Sequence, residues 1–321
     1  MKVSVLGCGR WGSFLAWYNN RIGNEVYSFG PEHDYSYRIL KETGRNEYVT
    51  FDKSITVTCD LDAALTHADT VIISISSQGL RGFATEIAKR DIKNKKFVLC
   101  MKGIEETTGK RLSEVAIESG IPKENVAVWV GPGHIQEFTK NVPNCMVIDS
   151  YSADLTKHLA DTFKSDLIRF YYGVDIIGTE VGAAAKNIMG IVAGVLDGLN
   201  YVTLKGPLMA RGAREVARLI AAMGGNELSA YGLCHLGDYE TTLFSPHSHN
   251  RRWGEAYVQG QPFDKLAEGV ATARAVAKVA KRLNVDMPIT NAVNDMITNK
   301  VPPKELITAL FGRNTKGEFA S

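Results

Sequence analysis

A glycine-rich turn near the start of the chain constrains its fold more than any other feature. The turn, Gly7-Cys8-Gly9-Arg10-Trp11-Gly12, follows the mostly apolar run of residues 3–6 and opens a segment with helical patterning. In a strand–turn–helix unit, Gly7 permits the tight turn, Gly9 lets a ligand approach the backbone, and Gly12 lets the helix pack closely against the strand. The helix start presents unpaired N–H groups that suit a pyrophosphate. We therefore predict a dinucleotide-binding unit here.

Short apolar runs alternate with amphipathic segments through the first half of the chain. The runs that we predict as strands are residues 2–7, 25–29, 55–58, 70–73, 96–101, 126–130, 146–148 and 168–172. The helices that we predict between them are residues 11–21, 62–68, 79–90, 109–119 and 152–163. This alternation predicts right-handed crossovers and a mostly parallel sheet that is covered on both faces.

The pattern changes near residue 175, after which helical spacing replaces the short apolar runs. The helices predicted in this part are residues 178–199, 208–223, 266–283, 290–298 and 302–311. We therefore predict an α/β Rossmann-type domain with a mostly parallel sheet, followed by an all-α C-terminal domain. The expected boundaries are 1–176 for the dinucleotide-binding domain and 177–321 for a helical domain that holds the substrate and the catalytic groups.

Composition and charge exclude several classes of protein. The 37 Lys and Arg residues nearly balance the 35 Asp and Glu residues, so no strong field favours nucleic acid or an anionic membrane. The five cysteines are widely spaced, which argues against a disulfide framework and a structural metal site. We find no leader and no apolar stretch of the ~18–20 residues that a bilayer requires. We therefore expect a cytoplasmic protein without stable membrane insertion.

The end of the second predicted strand bears on the choice of dinucleotide. The sequence Tyr27-Ser28-Phe29-Gly30 contains no acidic residue to bind the adenine ribose hydroxyls and no basic residue to bind a 2′-phosphate. Glu32 and Asp34 lie just beyond this strand and would repel a 2′-phosphate. The sequence therefore favours NAD, with NADP as the alternative.

Two lysines stand where chemistry is expected. Lys102 follows an apolar run, and the carboxyl ends of parallel strands border the ligand crevice. Lys186 is the only charged residue between Glu180 and Asp197, and an ammonium in apolar surroundings lowers its own pKa or finds an anion. This suits a general acid. The alternatives are a solvated strand-end lysine at 102 and a lysine at 186 whose ammonium reaches water.

A polar, basic stretch follows in the helical part. Gly237-Asp238 precedes Thr241-Thr242 and then Ser248-His249-Asn250-Arg251-Arg252. Such a cluster can hold a phosphate through charge-assisted hydrogen bonds, although a charged surface turn would have the same composition. His247 and His249 lack a third ligand, so we predict no metal.

Together these residues resemble the NAD(P)-dependent glycerol-3-phosphate dehydrogenases of the soluble bacterial type. The resemblance covers nearly the whole chain and implies interconversion of dihydroxyacetone phosphate and sn-glycerol 3-phosphate. The matching pieces are Gly7-x-Gly9-x-x-Gly12, Lys102-Gly103-Ile104-Glu105, Gly131-Pro132, Gly182-x-x-x-Lys186-Asn187, Gly237-Asp238, Asn250-Arg251-Arg252, Glu268-Gly269 and Met287-Pro288-Ile289-Thr290.

The resemblance also implies roles for individual residues. Lys186 corresponds to the proton donor, Lys102 to its partner at the substrate carbonyl and nicotinamide, and Asp238 to the carboxylate that orients Lys186. The implied cofactor contacts are Gly7, Gly9, Arg10, Trp11, Gly12, Lys102, Ile135 and Glu268. The implied substrate contacts are Lys102, Gly131, Asn187, Thr242, Ser248, His249 and Asn250. We also expect a homodimer.

Two departures from the family pattern concern the substrate side. His249 stands where an arginine usually precedes the Asn-Arg-Arg segment, and Gly133-His134 replaces the usual Thr or Ser after Gly131-Pro132. Arg251 is a candidate to compensate for the missing arginine. The alternatives to the implied activity are a related dehydrogenase for another small hydroxy compound and a nicotinamide-binding sensor without turnover. Lys102, Lys186 and Asp238 together disfavour the sensor, because binding alone needs no proton donor.

Overall fold

The computed structural model describes residues 1–315, 317 and 318 and divides the chain into two compact units. Unit 1 comprises Met1–Met101 and Leu112–Ile176, and unit 2 comprises Lys102–Arg111 with the described residues of Ile177–Ser321. The sequence prediction assigned all of residues 1–176 to the first domain and was wrong for Lys102–Arg111.

The segment Lys102–Arg111 belongs with unit 2 because of its packing. Ile104 joins the apolar core of that unit. Arg111 Nη1 lies 2.6 Å from Glu180 Oε2, and both side chains are buried. Separating a buried ion pair leaves an unpaired charge in the protein interior and is strongly destabilising. This pair therefore holds the segment against the helix that contains Glu180.

Unit 1 confirms the predicted fold class, with one eight-stranded sheet and helices between the strands. The strands are β1 Lys2–Leu6, β2 Glu25–Phe29, β3 Thr56–Thr58, β4 Thr70–Ile73, β5 Lys96–Leu99, β6 Val126–Val130, β7 Asn144–Ser150 and β8 Ile168–Tyr172. The helices are α1 Arg10–Arg21, α2 Tyr35–Thr43, α3 Leu61–His67, α4 Leu80–Ile87, α5 Leu112–Glu118, α6 Ile135–Phe138 and α7 Ala153–Phe163.

The sheet order is β3-β2-β1-β4-β5-β6-β7-β8. All neighbouring strands are parallel except β6 and β7, so β7 and β8 run against the other six. The strand order reverses direction between β1 and β4, and in open α/β sheets a ligand crevice lies at the carboxyl ends of the strands at such a point.

Unit 2 is built from helices and turns around one long helix. Its helices are α8 Ile176–Gly198, α9 Lys205–Ala222, α10 His249–Val258, α11 Glu268–Leu283, α12 Pro288–Thr298 and α13 Pro303–Phe311. Close contact between α8 and α10 depends on two glycines. A Cβ on Gly194 would lie 1.8 Å from the carbonyl oxygen of Arg251, and a Cβ on Gly254 would lie 2.1 Å from that of Ile191. The start of α10 is thereby held against α8.

Helix α8 corrects the expectation that no apolar stretch of the chain is long enough to span a bilayer. Its length and composition are sufficient to cross a membrane, although the sequence analysis recognised no such stretch. In the structure, 89% of its most apolar window is buried inside the protein. The core helix of a folded domain has the same composition as a membrane span, and the burial of α8 accounts for its apolar character.

Candidate active site

The glycine turn lies at the carboxyl end of β1, where the strand order reverses. Gly7 has a φ of +125°, and a Cβ there would lie 2.1 Å from the carbonyl oxygen of Ser74, which follows β4. A Cβ on Gly12 would lie 1.9 Å from the carbonyl oxygen of Gly7. Both positions therefore require glycine, as the sequence motif predicts.

Gly9 is different, because no described atom beyond its neighbours along the chain lies within 4 Å of its Cβ position. Gly9 is also the N-cap of α1, and the first N–H groups of that helix receive no side-chain cap. An open backbone followed by an uncapped helix start is the arrangement that a pyrophosphate needs. The turn therefore fits the dinucleotide that its sequence predicts.

Arg10 and Trp11 begin α1 directly after this turn. The Arg10 guanidinium carbon lies 5.7 Å from the centre of the Tyr48 ring, and its Nη2 lies 3.4 Å from Gln136 Oε1. The Trp11 ring packs 4.9 Å from that of Phe14. Both predicted cofactor contacts are thus held beside the turn by neighbours in unit 1.

Gly131 and Ile135 follow β6, at the same edge of the sheet as the glycine turn, because β1, β4, β5 and β6 are parallel. Gly131 has a φ of +136°, and Ile135 begins α6 with its side chain buried. The unusual glycine at 133 has a physical cause, since a Cβ there would lie 2.3 Å from the Phe138 ring.

Three charged side chains from distant parts of the sequence meet in unit 2. Asp238 Oδ2 lies 2.7 Å from Lys102 Nζ and 2.8 Å from Lys186 Nζ. Lys186 lies midway along α8, and Asp238 ends a 3-10 turn at Leu236–Asp238. Only 9% of the Lys186 side chain and 1% of the Asp238 side chain are exposed. Two ammonium groups share one carboxylate, so this charged cluster of Lys102, Lys186 and Asp238 carries a net positive charge.

Burial and the neighbouring charges act on the protonation of the charged cluster in opposite directions. Burial lowers the pKa of Lys186 to about 8, although the nearby Asp238 carboxylate opposes this shift. Burial would raise the pKa of Asp238, but the charges of Lys102 and Lys186 outweigh it and hold that pKa below its ordinary value. Lys186 can therefore lose and regain a proton near neutral pH while Asp238 stays ionised.

A π-helical turn at Glu240–Phe244 brings two threonines to the charged cluster. Lys186 Nζ donates to Thr242 Oγ1 at 2.6 Å. The Thr241 hydroxyl donates to the Asp238 carboxylate and lies 3.1 Å from the carbonyl oxygen of the same residue. Single π-helical turns occur frequently at functional sites. The sequence analysis predicted Thr242 as a site residue but not Thr241.

Asn187 connects the backbone of Lys102 to α8, because Asn187 Nδ2 donates to the carbonyl oxygen of Lys102 at 3.2 Å. Asn250 lies nearby. A Cβ on Gly190 would lie 2.8 Å from Thr242 Cγ2 and 3.2 Å from Asn250 Cβ. The start of α10 is therefore beside the turn of α8 that follows Lys186.

The first residues of α10 include the other predicted substrate contacts. Ser248 is the N-cap, and its Oγ accepts from the Arg251 N–H at 3.3 Å. His249 Nδ1 lies 3.2 Å from the carbonyl oxygen of Leu266, so this nitrogen carries the proton and donates. Asn250 Oδ1 accepts from the Gly269 N–H at 2.9 Å. The helix start offers N–H groups and a positive dipole end to an anion.

Arg251, the candidate to compensate for the missing arginine, is paired with an acidic residue of the protein. Its Nε lies 2.5 Å from Asp197 Oδ2, and Asp197 Oδ1 also lies 2.6 Å from Lys205 Nζ. The guanidinium is thus part of a separate, largely buried ion cluster. This pairing argues against the expectation that Arg251 compensates for His249.

Glu268 is the first residue of α11 and is half-buried. Its neighbour Gly269 approaches α8, because a Cβ on Gly269 would lie 2.6 Å from the carbonyl oxygen of Asn187. Unit 2 therefore brings together one group of predicted site residues: Lys102, Lys186, Asn187, Asp238, Thr242, Ser248, His249, Asn250 and Glu268. Unit 1 contains the other group at one edge of its sheet: Gly7, Gly9, Arg10, Trp11, Gly12, Gly131 and Ile135.

Comparison with known proteins identifies the family. Family models described as NAD-dependent glycerol-3-phosphate dehydrogenase N-terminus and C-terminus match residues 2–156 and 175–308. A glycerol-3-phosphate dehydrogenase (NAD(P)+) from Prosthecochloris aestuarii is 35% identical over 332 residues, which cover 99% of this chain and 100% of the relative. One from Chlorobium limicola is 34% identical over 331 residues, which cover 99% of each chain.

A solved structure agrees with these sequence relatives. The crystal structure of glycerol-3-phosphate dehydrogenase from Coxiella burnetii has a TM-score of 0.90 and 26% sequence identity, and the match covers 97% of this chain and 98% of that one. The resemblance that the sequence motifs indicated is confirmed. The chain belongs to the NAD-dependent glycerol-3-phosphate dehydrogenase family.

Proposed function

We propose that this chain interconverts dihydroxyacetone phosphate and sn-glycerol 3-phosphate with NAD or NADP as the cofactor. The observation that carries the proposal is the charged cluster of unit 2, in which a buried lysine with a pKa of about 8 lies 2.8 Å from an ionised carboxylate. Membership of the family supports the choice of substrate and cofactor.

Lys186 is the proton donor in this proposal. Asp238 and Thr242 occupy two of its three N–H bonds, so the third can point to a ketone oxygen. Negative charge grows on that oxygen as the carbonyl carbon is reduced. An ammonium in a dry site both stabilises this charge and delivers the proton. In the reverse direction, neutral Lys186 accepts the proton of the alcohol.

Lys102 and Asp238 keep the charge of this site suitable for the reaction. Asp238 pairs with both ammonium groups, so the site is only singly positive before an anionic substrate binds. After Lys186 has given up its proton, Lys102 still neutralises Asp238. Asn187 holds the backbone of Lys102 against α8 and is within reach of the same substrate.

The glycine turn of unit 1 is the proposed cofactor site. The backbone N–H groups of Gly9 and of the start of α1 donate hydrogen bonds to the pyrophosphate. Arg10, Trp11 and Ile135 lie on either side of it. A bound reduced nicotinamide supplies the hydride. We infer a preference for NAD over NADP, because Glu32 is exposed beyond β2 and the Asp34 carboxylate caps α2 there. Negative charge at this place disfavours a 2′-phosphate.

The start of α10 is the proposed phosphate side of the substrate. The Ser248 hydroxyl caps the helix and can still donate its own hydrogen, and the dipole of α10 adds positive potential. His249 offers a protonatable ring at the position where the family usually has arginine. Its charge depends on pH, whereas a guanidinium would be permanent.

A reduction assay tests the proposal. The purified chain is mixed with reduced nicotinamide and a panel of ketones, and the decrease in nicotinamide absorbance is followed. We expect turnover of dihydroxyacetone phosphate and little turnover of unphosphorylated dihydroxyacetone. Turnover of a different phosphorylated ketone alone would reject the proposed substrate. Cofactor binding without turnover of any ketone would reject the proposed enzyme.

We further infer a cytoplasmic location and a homodimer. All five cysteines are thiols, and thiols persist in reducing compartments. The homodimer rests on the family resemblance alone. A light-scattering mass of twice that of the chain supports it, and a mass equal to that of the chain contradicts it.

A further inference from the structure

Two buried side chains lie directly behind the charged cluster and have no part in the proposed chemistry. His235 and Tyr239 flank Asp238 in the sequence and are completely buried. Tyr239 Oη lies 2.7 Å from His235 Nε2, and the two rings meet edge to face with their centres 4.8 Å apart. Burial of polar side chains is costly unless they form hydrogen bonds, and these two residues are partners of each other. The question is what this buried pair does for the neighbouring Asp238.

The geometry fixes which atom carries each proton. His235 Nδ1 lies 2.9 Å from the carbonyl oxygen of Gly182, which can only accept, so Nδ1 donates. Nε2 of the neutral ring must then accept from the Tyr239 hydroxyl. Burial lowers the pKa of His235 to about 4 and raises that of Tyr239, so the pair stays neutral across the ordinary pH range.

The partner of His235 has a significant position. Gly182 lies on α8 four residues before Lys186, which is about one helical turn. A Cβ on Gly182 would lie 3.1 Å from both Cys234 Sγ and His235 Cβ. The turn that carries Asp238 therefore lies directly on the backbone of α8, and the His235 hydrogen bond joins the two elements there.

The other contacts of Asp238 do not replace this connection. Thr241 bonds to Asp238 within its own segment, so it orients the carboxylate without attaching the turn to α8. Lys102 comes from the separate segment Lys102–Arg111. The contacts of Lys186 with Asp238 and Thr242 involve the reacting ammonium itself, which must give up its charge in each cycle.

We propose that His235, held by Tyr239, is a positioning residue that fixes the separation between the Lys186 ammonium and the Asp238 carboxylate through its bond to the backbone of α8. The inference rests on the proposed function for its kinetic consequence, although the separation itself is a property of the free protein. The charged groups that face the pair are Lys186 on α8 and Asp238 on its own turn, and Glu215 on α9 faces Tyr239.

If the turn that carries Asp238 is held less firmly, the pKa of Lys186 changes in a direction that can be stated. Asp238 raises the pKa of Lys186, so a longer separation lowers it. Lengthening the 2.8 Å contact by about 1 Å at an effective dielectric constant of about 20 shifts the midpoint of Lys186 by about one pH unit. The rate of ketone reduction would then fall at a lower pH, because the proton donor is lost earlier.

Two variants of nearly equal shape test the proposal. His235→Asn keeps an N–H donor close to the position of Nδ1, whereas His235→Leu removes the donor and leaves a similar space. The titration of Lys186 is followed by NMR of the full chain with ¹⁵N-labelled lysine, and the resonance is assigned by its absence in Lys186→Met. The alkaline limb of kcat/KM for reduction, which reports the free enzyme, is measured in parallel.

We expect His235→Leu to lower both midpoints by about one pH unit and His235→Asn to stay near the parent. Equal shifts in the two variants, or no shift in a folded His235→Leu protein, would overturn the proposal. If His235→Leu does not fold, Tyr239→Phe takes its place, and a smaller shift in the same direction supports the proposal while an unchanged midpoint overturns it. Tyr18→Phe removes a buried tyrosine hydroxyl from unit 1 and serves as the control that should move neither midpoint.

The two readouts keep this inference separate from the proposed function. A parent protein that reduces no ketone would reject the function, and the NMR titration would still test the positioning. A parent that reduces the ketone with unmoved midpoints in His235→Leu would reject the positioning alone.

Discussion

The glycine turn of unit 1 and the charged cluster of unit 2 are built in opposite ways. The turn consists of backbone from six consecutive residues. Gly7 and Gly12 are needed because carbonyl oxygens come within about 2 Å of their Cβ positions, whereas Gly9 leaves its backbone open. The charged cluster consists of side chains from residues 102, 186 and 238, which three separate segments bring together. A backbone site tolerates few local substitutions, whereas a side-chain site depends on the distant contacts that hold its segments in place.

The largest expected effect comes from removing the proton donor. Lys186→Met should lower kcat for ketone reduction by ~10²–10⁴-fold, because the developing oxyanion loses both a proton and a charge. Binding of the reduced nicotinamide, followed by its fluorescence, should stay within about twofold of the parent, since the proposed cofactor turn lies in unit 1.

Lys205→Met is the matched control for that variant. Lys205 is also a buried lysine of unit 2 with a carboxylate partner, at 2.6 Å from Asp197. Its loss should lower the melting temperature without a comparable loss of kcat. Equal losses of kcat in the two variants would mean that a buried lysine supports only the fold.

The second prediction concerns two glycines of the same turn. Gly9→Ala places a methyl group where no described atom beyond its neighbours along the chain lies within 4 Å, so the melting temperature should be unchanged. Affinity for the dinucleotide should nevertheless fall by about tenfold, because the methyl group keeps the pyrophosphate from the backbone. Gly12→Ala meets the carbonyl oxygen of Gly7 and should lower the free energy of unfolding by about 1–3 kcal/mol.

Calorimetric unfolding and nicotinamide titration measure both effects. A Gly9→Ala protein that binds the dinucleotide as tightly as the parent would remove Gly9 from the proposed site.

A smaller effect is expected at the start of α10. His249→Gln should raise the KM for dihydroxyacetone phosphate several-fold near neutral pH and flatten its rise toward alkaline pH, because the ring loses its charge as the pH rises. Arg251→Gln should lower stability with little change in KM, since Arg251 pairs with Asp197. Initial rates from pH 6 to 9 give the KM of each variant. A raised KM in Arg251→Gln with an unchanged KM in His249→Gln would show that Arg251, not His249, holds the substrate phosphate.

The smallest effect concerns the choice of cofactor. We expect NADH to bind more tightly than NADPH by a modest factor, because Glu32 and Asp34 lie near the end of β2. Glu32→Gln should narrow the difference by reducing the repulsion of the 2′-phosphate. Parallel titrations that show tighter binding of NADPH to the parent would contradict this preference.

The sequence predicted the backbone site more completely than the side-chain site, and for physical reasons. Strand, turn and helix at residues 2–21 are specified by neighbours in the chain, and the limits of β2, β4, β6 and β8 agree with the predicted runs. Helix α10 was missed because its polar sequence has little apolar periodicity. Its position depends on the Ser248 cap and on the close approach of Gly194 to Arg251 and of Gly254 to Ile191, which only the folded chain provides.

The residues of the candidate site were predicted from the sequence, but the contacts that hold them in place were not. The residue pattern singled out Lys102 and Lys186, and the family resemblance gave roles to both and to Asp238. Neither gave a sign that residues 102–111 pack with the helices. Arg251 resembled a phosphate ligand until its contact with Asp197, 54 residues away, became visible. His235 and Tyr239 lack a local signal, because their importance lies in the carbonyl group of Gly182 on another helix.

The pH dependence of kcat/KM in the two reaction directions tests the central claim most directly, because kcat/KM reports the pKa of the free enzyme. Lys186 must be protonated for reduction and neutral for oxidation, so around pH 8 the first rate should fall with rising pH while the second rises. In Asp238→Asn the carboxylate charge that raises this pKa is gone, and both limbs should move to lower pH. Limbs that stay at the parent's pH in Asp238→Asn, or that have the same slope in both directions, would contradict the assignment of Lys186 as the proton donor.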